Sequence, residues 1–161
     1  MKNYKKRILQ GVIIVAVFAL GLLVGLEIGH KKIAEPLDSM RILLLTAIQG
    51  QIAAAQYCNA NYEEAKAALV NYISFLDDLK SKGMMEKENS FGALGARTYY
   101  VDRGLSYARL ALLEEKVGKT AEAKINMQEA SKTFQLAGWK DYSEVRIRHF
   151  VQWADKGLLS M

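Results

Sequence analysis

Hydrophobic and polar positions divide the chain into one long apolar run and a series of amphipathic segments. The run at residues 8–29 reads ILQGVIIVAVFALGLLVGLEIG, and its strongly polar residues, Gln10 and Glu27, lie near its ends. A helix of this length spans about 30 Å, which matches the hydrocarbon core of a bilayer. The run is longer than the apolar region of a signal peptide, and no good cleavage site follows it. We therefore predict a single transmembrane helix over residues 8–30.

Charges beside this run predict its orientation. Residues 1–7 contain four basic residues, whereas Lys31 and Lys32 on the other side are soon followed by Glu35 and Asp38. Because basic flanks tend to remain on the inner side of a membrane, residues 1–7 are expected to form a basic cytoplasmic stub. The sequence thus predicts a single-pass protein of a bacterial inner membrane, with its C-terminal domain in the periplasm.

Three glycines within the apolar run are spaced four residues apart. Gly21, Gly25 and Gly29 therefore fall on one face of the predicted helix. Because glycine lets a second helix approach closely, this face is a candidate packing surface for a transmembrane helix of a partner.

Beyond Pro36, apolar residues recur at spacings of three and four, which predicts amphipathic helices. Thr120 is expected to cap the fourth helix, and Gly157 to end the fifth. The first helix has a wide apolar face that includes Met40, Leu43, Leu44, Ala47, Ile48, Ile52 and Ala55. The five predicted helices are Leu37–Tyr57, Tyr62–Lys80, Thr98–Val117, Thr120–Leu136 and Asp141–Lys156.

A segment rich in glycine and polar residues separates the second and third predicted helices. Residues 81–97 read SKGMMEKENSFGALGAR, which is long for a loop inside a compact domain. The segment is either a connector without fixed structure or a loop that docks on a partner through its apolar residues.

Two turns share a pattern of small residues. Asn61–Ala65 and Gly118–Ala123 each lead from a turn into a helix, and Ala53 and Ala111 lie twelve residues before the alanines that end these motifs. This pattern resembles the tetratricopeptide repeat, in which small residues lie where two helices cross. Tyr72 departs from the family's pattern, which has a small residue at that position. The residues Ile52, Leu110 and Ala130 fit further positions of the same pattern.

The resemblance implies an all-α fold: a small α-solenoid over residues 37–157, with residues 81–97 as an inserted loop. It would contain two helical hairpins and a C-terminal capping helix, following the single transmembrane helix. The alternative is another array of helical hairpins. The family implies binding of a partner protein, not catalysis.

Composition and charge argue against several classes of function. The formal net charge of +5 belongs to the first 32 residues, so the remaining chain is neutral and nucleic-acid binding is not expected. One cysteine and two histidines leave little for a disulfide framework or a metal centre. No catalytic or phosphate-binding motif is present. We expect no catalytic, cofactor-binding or metal-binding residues, no cofactor and no small-molecule substrate.

Aromatic and arginine residues concentrate in the second half of the chain, and these residue types are enriched where proteins bind each other. They either pack the core or form a partner surface. The candidate partner-binding residues are Tyr99, Tyr100, Arg103, Tyr107, Arg146 and Trp153.

Together these patterns predict a non-enzymatic, membrane-anchored scaffold or an accessory or assembly subunit of a larger membrane complex. It would contact the other subunits through its transmembrane helix and its helical-repeat surface. The alternative is a structural subunit of an electron-transfer or light-harvesting complex, with cofactors held by neighbours or by His30 or His149.

Overall fold

The computed structural model describes residues 40–84 and 95–159, and this part of the chain is all-helical. Helix α1 covers residues 40–59, followed by α2 (Tyr62–Ser81), α3 (Ala96–Lys116), α4 (Thr120–Leu136) and α5 (Glu144–Leu159). The bounds of α2 to α5 agree with the sequence prediction to within three residues at each end.

The predicted membrane span requires a correction. Residues 8–30, including the glycine face of Gly21, Gly25 and Gly29, lie outside the described residues. Within the described ranges, no helix is both long enough and apolar enough to cross a bilayer. For the part of the chain that the structure describes, the fold class with a membrane span and the inner-membrane localisation are therefore wrong.

The N-termini of α2 and α4 differ in whether a side chain caps their free backbone N–H groups. At α2, the Asn61 side chain accepts a hydrogen bond of 3.0 Å from the Glu64 backbone N–H. The prediction that Thr120 caps α4 is wrong, since Thr120 is the first helical residue and Lys119 occupies the cap position without a side-chain hydrogen bond.

Glycine follows the end of three of the helices. Gly83 follows α2 with φ of 67°, Gly118 follows α3 with φ of 79°, and Gly138 follows α4 with φ of 80°. L-residues rarely adopt this left-handed conformation, so glycine is favoured at all three positions. The fifth helix differs from the prediction, because α5 continues through Gly157 to Leu159.

The core consists of two clusters, and α3 contributes to both. One cluster joins α1, α2 and α3, and the other joins α3, α4 and α5. The third helix is therefore buried on two sides. Side chains of the first cluster include Leu69, Leu76, Tyr99 and Leu113; those of the second include Ala108, Met127, Phe134, Ile147 and Val151.

The four alanines of the two turn motifs and of the positions twelve residues before them are buried. Ala53, Ala65, Ala111 and Ala123 are each at most 2% exposed. A small side chain lets neighbouring helices approach closely at these points. Ile52 differs from Leu110, its counterpart 58 residues later, because Ile52 is 46% exposed whereas Leu110 is buried.

Helix α1 presents an apolar surface outward. Its buried side is made of Thr46, Ala53 and Ala54, supported by the half-buried Ile42 and Tyr57. Amphipathic helices usually turn their apolar stripe to the core, but here the wide apolar face found in the sequence is exposed along its whole length. We call the large side chains on this side the outer face of α1: Met40, Leu44, Leu45, Ile48 and Ile52.

Gly50 explains why a tyrosine fits where the repeat pattern has a small residue. A Cβ atom at Gly50 would lie 2.8 Å from the hydroxyl oxygen of Tyr72. The tyrosine ring, 5% exposed, thus passes close beneath the α1 backbone, and its hydroxyl donates a 2.9 Å hydrogen bond to Asp102 on α3. The missing side chain of Gly50 makes room for a link from α2 to α3.

We expect Gly50→Ala to be energetically coupled to Tyr72→Phe. The added methyl group would press on the tyrosine hydroxyl, whereas a phenylalanine lacks that atom. Urea unfolding of both single variants and the double variant should give a coupling free energy of about 1 kcal/mol. An effect of Gly50→Ala that is equal in the two backgrounds would contradict the close approach.

Candidate functional site

Because α3 is buried on two sides, its polar residues emerge at the seams between helices, where they line depressions of the surface. The first, which we call the aromatic cleft, lies between α2 and α4 and has a volume of about 500 Å³. Its lining includes Asp77, Lys80, Tyr99, Tyr100, Arg103 and Thr133.

Arg103 lies at the centre of the aromatic cleft. Its Nε donates to Asp77 at 2.9 Å, and one terminal nitrogen donates to Thr133 at 3.2 Å. The guanidinium group also lies 4.8 Å from the ring centre of Tyr107. One side chain therefore joins α2, α3 and α4, so its first effect is to hold these helices together.

Tyr99 adds a further hydrogen bond to the Asp77 carboxylate. It is 2% exposed, and its hydroxyl donates a 2.5 Å hydrogen bond to Asp77. Burial, followed by the hydrogen bond to this carboxylate, raises the pKa of Tyr99 above its ordinary value. The neighbouring Tyr100 accepts a 3.1 Å hydrogen bond from Lys80, whose ammonium lies 4.9 Å from the ring centre of Tyr100.

The candidate partner-binding residues do not form one surface. Tyr99, Tyr100 and Arg103 line the aromatic cleft, but Tyr99 is too deeply buried to present a contact area. Tyr107 lines a neighbouring depression between the same helices. The remaining two candidates, Arg146 and Trp153, lie on α5 and do not line the cleft; Trp153 is 69% exposed and stacks on Phe150.

The second depression, which we call the α1–α3 groove, lies on a different side of α3. It has a volume of about 350 Å³, and α5 contributes Ala154 to it. Small residues of α1 form one wall, while α3 supplies the polar groups of the other. Lining residues include Ala47, Gly50 and Ala54 on α1 and Asp102, Ser106 and Arg109 on α3.

A buried ion pair connects the groove to α5. Two nitrogens of Arg109 donate to Asp155 Oδ1, at 2.6 and 3.1 Å, and the two side chains are only 6% and 14% exposed. The Arg109 guanidinium also lies 5.8 Å from the ring centre of Tyr57. Burial, then the negative charge of Asp155, raises the pKa of Tyr57 to about 12.

Sequence reasoning missed the residues of this groove. Asp102 and Asp155 are isolated acids without a motif, and their partners Tyr72 and Arg109 are 30 and 46 residues away. One signal was available: a tyrosine at a position expected to be small indicates a side chain that passes between helices. His30 lies outside the described residues, and His149 is exposed on α5.

Among residues 40–84 and 95–159, no group of histidine, cysteine or acidic side chains is placed to hold a metal ion. In comparisons with known proteins, no family model, curated protein or solved structure matches the chain. The features that bear on function are therefore the aromatic cleft, the α1–α3 groove and the outer face of α1.

We expect Asp155→Ala to destabilise the protein by about 3–5 kcal/mol, because it leaves the buried charge of Arg109 unpaired. Thermal or urea unfolding would measure this loss. The matched control is Asp78→Ala, which breaks an exposed pair with Lys82 and should cost less than about 1 kcal/mol. Equal losses in both variants would contradict a buried ion pair between α3 and α5.

Proposed function

We propose that this protein is a non-enzymatic interaction module, a scaffold or an accessory subunit that holds another protein against its helical domain. The observation that carries the proposal is the outer face of α1. A helix whose apolar stripe points away from its own core has a surface that another molecule can cover.

The exposed apolar side chains of the outer face lie next to one another instead of being scattered over the surface. Leu44 and Leu45 are 61% and 51% exposed, and Ile48 and Ile52 are 43% and 46% exposed. Burying one such side chain completely contributes about 1.5–3 kcal/mol, so even partial coverage of several contiguous ones would favour association. The face extends along one helix, so the favourable contacts lie in one continuous strip.

The shape and charge of the outer face favour an amphipathic helix of another protein as the partner. Met40, Leu44, Ile48 and Ile52 are spaced four residues apart and form one ridge, which can pack into the groove of a facing helix. The exposed polar residues beside it include the neutral Gln49 and Gln56 and the basic Arg41, and α1 has no acidic residue. The partner helix would therefore present a largely apolar stripe.

Resemblance to tetratricopeptide repeats supports the same function and is part of the proposal. The buried alanines described above lie where that pattern needs close helix crossings. Hairpin arrays of this kind bind partners with their helix surfaces, and an outward apolar helix at one end provides such a surface.

We expect Ile48→Glu to remove binding of the partner without unfolding the protein. The carboxylate would be buried against an apolar helix in the complex, but it remains in water when the chain is free. The measurement is quantitative mass spectrometry of proteins that co-purify with the full chain. The partner should be stoichiometric with the native chain and reduced at least tenfold with Ile48→Glu.

Ile125→Glu is the matched control for this experiment. Ile125 lies on α4 and is 60% exposed, so the same substitution has a similar cost in the free protein but lies away from α1. Equal partner recovery with native chain and Ile48→Glu would contradict the proposal. So would an equal loss of the partner with the control variant.

A further inference from the structure

We infer that the α1–α3 groove is a binding site for a primary ammonium group, such as the side chain of a lysine on a partner, with Asp102 as its counter-ion. This site lies on a different side of α1 from the outer face, so it stands independently of the proposed helix contact.

The first argument is the incomplete pairing of Asp102. Its Oδ2 accepts the 2.9 Å hydrogen bond from Tyr72, and this is its side-chain hydrogen bond among the described residues. No lysine or arginine of those residues forms an ion pair with it; the positive charge of Arg109 acts on Asp102, but the Arg109 guanidinium is bonded to Asp155. A half-buried carboxylate thus faces a cavity with Oδ1 available.

The second argument is the charge of the groove. The polar groups that line the groove with Asp102 include the Tyr72 hydroxyl from α2, Arg109 from α3 and the neutral Gln51 from α1, and Arg109 is bonded to Asp155 of α5. Because Arg109 and Asp155 balance each other, the site carries one net negative charge. Burial raises the pKa of Asp102, and a bound cation would offset that desolvation.

The third argument distinguishes ammonium from guanidinium. The groove is small and is already lined by the Arg109 guanidinium, so a second planar guanidinium fits beside Asp102 less well than an ammonium does. An ammonium is a compact charge that needs one acceptor, and Ser106 provides a hydroxyl nearby. Ala47, Gly50 and Ala54 leave an apolar wall against which the methylene groups of a lysine can lie.

The volume of the groove fits this class of ligand. At about 350 Å³ it is at the small end of ligand-binding cavities, so it accommodates one side chain rather than a whole helix. Gly50 helps to keep the groove open, because a larger residue at this position would occupy part of the groove and displace Tyr72.

The test uses the ¹⁵N-labelled full chain and three probes: Nα-acetyl-lysine N-methylamide and its arginine and norleucine analogues. Titration with the lysine probe should give saturable shifts of the Gly50, Ser106 and Ala154 backbone amide signals. The norleucine probe keeps the methylene chain but lacks the charge, so it should bind at least tenfold more weakly, and the arginine probe should also be weaker.

Three variants separate the ligand site from folding. Asp102→Asn should weaken the lysine probe at least tenfold, although its amide oxygen can still accept the Tyr72 hydrogen bond. Ala47→Leu narrows the exposed mouth of the groove and leaves Asp102 in place, and it should weaken binding too. The control Ala55→Leu is exposed on α1 outside the groove and should bind as the native chain does.

Several outcomes would overturn the inference. They are the absence of saturable shifts at the solubility limit of the lysine probe, equal binding of the lysine and norleucine probes, and undiminished binding by folded Asp102→Asn. None of these results would affect the proposed helix contact, because Ile48 lies outside the groove.

Discussion

Burial of α3 on two sides is the constraint on which the rest of the domain depends. Its small and aliphatic residues fill two core clusters, so its polar side chains are confined to the seams between helices. There they must find partners, because an unpaired charge at such a seam is costly. Arg103 bonds to α2 and α4, and Arg109 bonds to α5. The same links that satisfy these charges thus fix the positions of the surrounding helices.

Asp102 and the outer face of α1 have fewer contacts within the domain than the groups just described. Asp102 accepts one side-chain hydrogen bond and forms no ion pair among the described residues. The outer face lacks apolar packing within those residues, since it leaves large aliphatic side chains in water while small residues of the same helix occupy the core. Among the described residues, no fully buried side-chain nitrogen or oxygen atom lacks a hydrogen-bond partner. The contacts proposed with other molecules are at these two features.

The sequence predicted the helices well because their apolar spacing and terminal glycines act locally. It did not predict which side of α1 is buried, since both sides of that helix contain apolar residues and the choice depends on Tyr72 fitting under Gly50. Of the six predicted partner-binding residues, Tyr100 and Arg103 lie together in the aromatic cleft, Arg146 and Trp153 lie elsewhere, and none belongs to the outer face of α1. The pairing of Arg109 with Asp155 joins residues far apart in sequence, which no local pattern reveals.

The central claim is that the outer face of α1 is covered by a helix of another protein. Its most direct test is site-specific photo-cross-linking of the full chain in its source cells, with the reactive residue at position 44 or 52, or at position 125 as the reference. The account predicts cross-links from positions 44 and 52 to one defined protein, through an amphipathic helical segment, and none from position 125. Cross-links to a second copy of this chain, or equal cross-linking from position 125, would contradict it.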